Sequence, residues 1–307
     1  MKSLTSHILI IAGVISLVFF IFSCSAQINE KLKYLGQKPP TTKPELFAPS
    51  IISKNNESLF GSVFNKDGTE FYYGVDVDAK SEIWFTKLEN KEWTNPEILL
   101  SHNQYSSNDP FLSNDEKRLF FISNKAELND TISDNYNIWY IEREGKDWNI
   151  EMFKVDTTVN TNRNEYYMSF TLDGSMYFSS NVAASPDKQH NFNIYKSKYK
   201  NGSFQMAIPM DESINTKDYE ADVFVAPDEP YIIFCSIRKE GYGQGDLYIS
   251  FKDDDGKWTK AKNMGEIINT EGHELCPFVT KDGKYFFYTS NQKIYWVDAS
   301  IIDSLKD

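Results

Sequence analysis

The sequence predicts an all-β chain folded as a β-propeller of four-stranded antiparallel blades, and three observations predict it. A turn of Asp-Gly or Asp-Glu type between two apolar runs recurs at Asp67-Gly68, Asp115-Glu116, Asp173-Gly174, Asp228-Glu229 and Asp282-Gly283, at spacings of 48, 58, 55 and 54 residues. Behind each turn comes an aromatic strand (Phe71-Tyr72-Tyr73, Leu119-Phe120-Phe121, Met176-Tyr177-Phe178, Ile232-Ile233-Phe234, Tyr285-Phe286-Phe287). A third strand then carries an aliphatic–aromatic pair (Ile83-Trp84, Ile138-Trp139, Ile194-Tyr195, Leu247-Tyr248, Ile294-Tyr295). Between units, Val159-Asn160-Thr161, Ile214-Asn215-Thr216 and Ile268-Asn269-Thr270 recur in step. A unit of about 50 residues forms one small sheet that cannot bury both faces alone, so the copies must pack side by side around an axis.

The fourth copy shows the elements most completely. Ala221 to Glu229 alternates and stops at a turn, Tyr231 to Ser236 is β-branched and aromatic, and Asp246 to Phe251 follows a Gly-rich loop. Lys257 to Ala261 then reads as the fourth strand, opening on an aromatic as do Trp93, Trp148 and Phe204 in other copies. The last copy has no fourth strand after Trp296. Residues 46–52 are the one unassigned strand-like segment, so they are expected to close the ring as the outer strand of the last blade. The count is then five blades, with six the alternative if residues 30–58 hide a degenerate one. Asp298 to Leu305 has helical spacing of Ile301, Ile302 and Leu305, and is expected to be a short helix ending the propeller at 45–307.

Residues 1–23 read as a signal peptide: Lys2 is a short positive region, and Ile8 to Phe22 is an apolar run short for a membrane span. Ile21-Phe22-Ser23-Cys24 resembles the lipobox of bacterial lipoproteins, with Phe22 bulkier than that motif usually carries. Cys24 is therefore the expected lipidation site, with an uncleaved anchor helix the alternative. Residues 24–44, polar and holding Pro39, Pro40 and Pro44, read as a flexible tether. The run after Cys24 lacks an acidic cluster, so the expected location is the cell envelope, on the outer membrane facing the periplasm.

The chain has 307 residues, 40% hydrophobic, 15% aromatic and 25% charged, a net charge of −12 and a mean hydropathy of −0.50. This acidity excludes a nucleic-acid backbone or a bare anionic bilayer as the main partner, so membrane contact is expected through the lipid anchor alone. Of the cysteines beyond Cys24, Cys235 and Cys276 lie in adjacent repeats and either pair or sit as buried small residues; they do not form a metal-binding spacing.

The Asp-Gly hairpin, with Ala-Pro-Asp-Glu (226–229) and Ser-Asn-Asp-Glu (113–116) as variants of a Ser-Pro-Asp-Gly consensus, resembles the TolB-like repeat, a WD-repeat-like propeller unit of bacterial envelope proteins. Residues 107–113, 241–251 and 294–299 resemble a subgroup that stands alone behind a lipoprotein signal. The resemblance covers about residues 45–305 and implies the fold, while propellers host binding, scaffolding and enzymes alike.

Candidate ligand residues come from repeat phase. Eight residues before the turn Asp stand Glu165, Glu220 and Glu274, with Leu59 and Ser107 in the first two copies; six before it stand Asp109 and Asp222. This phasing points them at one central rim, which could bind a cation, amines or sugar hydroxyls. The alternative is that each Glu ties down the entrance loop of its blade, as a repeat feature. The expected function is a monomeric envelope module that binds or scaffolds a protein or glycan, without cofactor or metal. A glycan-active enzyme using the channel carboxylates is the alternative, although such chemistry needs an acid and a base in unlike surroundings and these candidates look alike. No His-Glu-x-x-His, Gly-x-Ser-x-Gly or phosphate loop is present. The loop Gly241-Tyr242-Gly243-Gln244-Gly245 precedes a strand and does not open a helix, so it reads as a hairpin.

Overall fold

A computed structural model describes residues 30–52, 57–127, 131–185, 187–188 and 190–306. The expected signal peptide, the lipidation site at Cys24 and the start of the tether lie outside the described residues. Within them the chain is a five-bladed β-propeller. The inner strands are Ser58–Phe64, Ser107–Leu112, Glu165–Phe170, Tyr219–Val225 and Glu274–Val279. Each pairs through its Asp-Gly or Asp-Glu turn with an aromatic second strand, and that strand with a third, in antiparallel register. Alternation explains the packing: Phe178 stacks on Tyr195, Phe234 on Tyr248 and Tyr288 on Tyr295, so the third-strand aromatics pair across the ladder with those of the second strand on one face of each sheet.

The outer strands depart from expectation. Trp148 does lie in one, Asp147–Lys154. Trp93 and Phe204 instead close short hairpins at the end of the third strand, and Trp258 forms an isolated bridge with Lys252. The outer strands of these blades come later, at Glu97–Leu100, Ile208–Pro209 and Lys262–Asn263. Trp93 and Phe204 pack against the main core and Trp258 is buried in a smaller one, so each ring seats its turn ahead of the outer strand.

Closure also differs in detail. Glu45–Leu46 pairs with Trp296 and Tyr295, making the outer strand of blade 5 from the opposite end of the chain. The strand stops there. Phe47 is 1% exposed and its ring meets Phe64, Phe71, Phe287 and Trp296, while Pro49–Ile52 is a helical turn. Pro49 explains the break, since it has no N–H for a ladder and its fixed φ suits the first position of a helix.

Residues 30–44, expected as part of a free tether, are packed on the propeller. The Tyr34 ring meets Phe64 and Tyr285 edge-on at 5.0 and 4.9 Å, and Trp93 Nε1 donates to the Leu32 carbonyl at 2.7 Å. Gly68, at φ +67°, passes beneath the Tyr34 ring, where a Cβ would lie 3.0 Å from it. At the other end Ser300–Asp303 is helical with Ile301 and Ile302 buried, and Asp298 accepts the Ser300 N–H at 2.9 Å.

Candidate functional site

Glu165, Glu220 and Glu274 stand at the start of their inner strands at the same repeat position in three blades, and each is fully buried. Each carboxylate accepts the same three hydrogen bonds. Thr161, Thr216 and Thr270 donate their backbone N–H at 2.9–3.1 Å and their hydroxyl at 2.7 Å. Ser180, Ser236 and Ser290 of the second strands donate at 2.6–3.0 Å. Glu220 also faces the Arg238 guanidinium at 3.5 Å. The preceding Asn completes the clasp: Asn160, Asn215 and Asn269 each accept from and donate to the backbone of one third-strand residue, Ile138, Ile194 and Leu247. The Asn-Thr-x-x-x-Glu pattern therefore fastens the interblade loop to its two sheets. Burial holds the Glu165 carboxyl above the usual range, partly offset by its Thr161 and Ser180 donors. With their lone pairs committed inward, these three residues do not form an open binding rim.

Two residues further along every inner strand the pairing register slips, as one extra residue bulges out. The bulge residues are Gly61, Asp109, Tyr167, Asp222 and Cys276, one per blade. The last four have φ of 53°, 35°, 51° and 53°, in the left-handed region that side chains seldom adopt. The twist turns these side chains toward the axis. Asp109, Asp222 and Cys276, from blades 2, 4 and 5, bring ligand-capable atoms within 4.8 Å of one another, and Tyr167 reaches across to donate to the Pro277 carbonyl at 2.9 Å. Gly61 completes the ring: a Cβ there would lie 2.6 Å from Asp109 Oδ1 and 2.8 Å from its Cα. Beyond the bulges the axis is filled by Phe111, Phe224 and Phe278, with Phe278 about midway at 5.9 and 6.1 Å from the other two rings.

The acids are 7% and 9% exposed. Burial, then the neighbouring Asp222 charge, pushes Asp109 up to about 8 despite the Cys276 thiol, which donates to it at 3.6 Å. Burial alone pushes Asp222 up to about 7, and burial with both acids nearby raises the Cys276 thiol. At the entry end an arc of aromatics, Tyr136, Tyr166, Phe192 and Tyr219, runs with ring separations of 5.5, 4.9 and 5.8 Å.

The sequence-predicted residues thus split. Asp109 and Asp222 come together at the axis, whereas Glu165, Glu220 and Glu274 belong to the clasps. Gly61, Tyr167 and Cys276 were missed, although they stand six residues before their turn Asp just as Asp109 and Asp222 do. Reading the whole repeat column, and not its acids alone, would have found them. Cys235 and Cys276 are both free and buried, so the pairing alternative is not realised; Cys235 Sγ instead lies 3.4 Å from His273 Nε2.

The opposite face, formed by the Asp-Gly-type turns, carries a groove of about 430 Å³ between blades 2 and 3. Phe120, Phe170, Tyr199 and Phe204 line it with Arg118 and Asp173. Arg118 stacks 4.9 Å over Tyr140 and pairs with Glu142 at 3.0 Å, which fixes its guanidinium plane.

No family model and no curated protein matches the sequence. Among solved structures, the chain is similar to a Dyadobacter fermentans protein of unknown function (TM-score 0.52, 13% identity, 87% of this chain and 85% of that one). It is also similar to TolB from Acinetobacter baumannii (0.49, 14%, 78% and 54%) and to a chain of a nidogen/laminin complex (0.48, 13%, 86% and 88%). The chain thus spans about half the length of TolB. At these identities the likeness is one of architecture.

Proposed function

We propose that this chain is a lipid-anchored propeller of the cell envelope that binds a protein or glycan partner there as a scaffold. The observation that carries the binding reading is the groove between blades 2 and 3, an open concavity of ligand size with aromatic walls and a fixed guanidinium. Glycoside hydrolysis needs two carboxyl groups in a cleft that admits a sugar. The three Glu are closed inside clasps and the two channel Asp are nine-tenths buried, so the glycan-active alternative draws no support from them.

The lipobox-like segment ending at Cys24 supports the anchor and the envelope location. Because packing on the propeller begins by residue 32, the leash from Cys24 has about eight residues and reaches at most roughly 30 Å. The propeller would work close to the membrane surface, and an outer-membrane anchor would place it on the periplasmic side. Labelled palmitate on the wild-type chain, absent from Cys24→Ala, is the expected result; label persisting on the variant would remove the anchor.

Binding is tested with the full chain in detergent against purified envelope glycan fragments and, separately, by photo-crosslinking to envelope proteins from a probe placed at Leu172, an exposed residue lining the groove. One of the two should be retained by Glu165→Gln and lost by Phe204→Ala. Turnover of a glycan fragment that disappears in Asp109→Asn would replace the scaffold with the enzyme.

A further inference from the structure

We propose that Asp109, Asp222 and Cys276 are the protein ligands of one zinc-type divalent cation on the propeller axis. This goes beyond the partner-binding reading and does not depend on the groove. The geometry is that three chemically suitable side chains converge from three different blades, each delivered by the same bulge, to within 4.8 Å of one another. A tetrahedral ion with metal–sulfur and metal–oxygen bonds near 2.3 and 2.0–2.2 Å sets its ligand atoms about 3.5 Å apart, so a small contraction closes the site.

A second, independent observation concerns Asp222. Its side chain is nine-tenths buried, yet no hydrogen bond to its carboxylate is formed among the described residues; its own N–H is held by Ser179 Oγ at 3.1 Å, which fixes the backbone and leaves the carboxylate facing the axis. Away from the axis, the buried acids among the described residues are well partnered. Glu220 accepts three hydrogen bonds, and Asp246 accepts from the Tyr242 and Gly243 N–H groups and from Asn263. The Asp222 oxygens keep a narrow access to the axis and meet no protein donor among the described residues, so their lone pairs are available to a cation that reaches it.

The donor set selects the ion. A thiolate with two carboxylates suits a borderline metal such as Zn²⁺. Ca²⁺ asks for six to eight oxygens and gains nothing from sulfur. On binding, the Cys276 thiol gives its proton to solvent together with any proton the acids carry, and the metal takes the freed lone pairs. Three protein ligands leave a fourth position for water.

The test uses the full chain, stripped with chelator and then titrated with Co²⁺ as a spectroscopic stand-in and with Zn²⁺ in competition with a chromophoric chelator. One equivalent should bind, with a thiolate-to-cobalt charge-transfer band, in wild type and in Cys235→Ser. Cys276→Ser should lose the band, and Asp222→Asn and Asp109→Asn should weaken Zn²⁺ binding at least tenfold, with circular dichroism unchanged in all four variants. A band that survives Cys276→Ser, equal Zn²⁺ binding in Asp222→Asn, or no uptake by wild type would overturn the site and leave a carboxyl pair that holds protons alone.

Discussion

Glu220 and Asp222 stand two residues apart on one strand, both buried, and their surroundings have little in common. Glu220 meets two hydroxyls, a backbone N–H and a guanidinium. Asp222 meets another carboxyl and a thiol. The bulge between them makes the difference: before it the side chain faces the interblade loop, and at it the left-handed backbone swings the next acid to the axis. Shared repeat phase therefore reports shared direction, while the count of donors around an acid tells scaffold from site.

The sharpest way to break this contrast is Glu220→Gln. Arg238, with its side chain 7% exposed, loses its counter-ion, and an amide nitrogen is left facing donors. We expect about 3 kcal/mol less stability by urea denaturation; a loss below about 1 kcal/mol would undo the clasp.

A third environment sharpens the comparison. Glu229, on the turn face, accepts from Lys252 at 2.6 Å and from Lys196 and Tyr177, and although burial opposes ionisation these donors bring it down to about 2. A depressed carboxyl contributes stability that is complete above its unfolded value near 4.5 and is lost as pH falls toward 2. The stability difference between wild type and Glu229→Gln should therefore be flat above about pH 5 and shrink by up to about 3 kcal/mol on acidification, read from denaturation curves at stepped pH.

Glu165→Gln and Glu274→Gln test the same clasp without an arginine. Each should cost about 1–2 kcal/mol, the effect of turning one acceptor into a donor among Thr and Ser donors. The smallest effect belongs to the axis. In chelator, Asp109→Asn and Asp222→Asn should leave stability unchanged or raise it by up to about 1 kcal/mol, because an amide removes a buried ionisable group that has few partners. Destabilisation of the Asp variants matching that of the Glu variants would erase the distinction between the two sets.

Much of this was legible in the chain. The turn, aromatic and Asn-Thr markers named all five blades, and the missing fourth strand in the last copy pointed to closure by the N-terminal segment. The clasp was legible as an alternative role for the Glu, since Asn-Thr-x-x-x-Glu holds a fixed spacing in three copies. Outer strands were misplaced because Trp93, Phe204 and Trp258 look like strand openers, and only packing shows that they seat a hairpin. Residues 30–44 read as a tether because a few rings, such as Tyr34, give a polar stretch no periodic signal.

The sequence by itself determined the propeller class, the five marked copies and the first three strands of each, because local alternation and turn chemistry are written in every copy. Tertiary structure alone decided which acids are scaffold and which converge. Gly61, Asp109, Tyr167, Asp222 and Cys276 share a repeat column but lie 48 to 58 residues apart and differ in chemistry apart from the two Asp, so the column alone does not say that they meet. They meet because five bulges, one in each inner strand, point at a common axis that exists only once the last blade has closed on Glu45–Leu46.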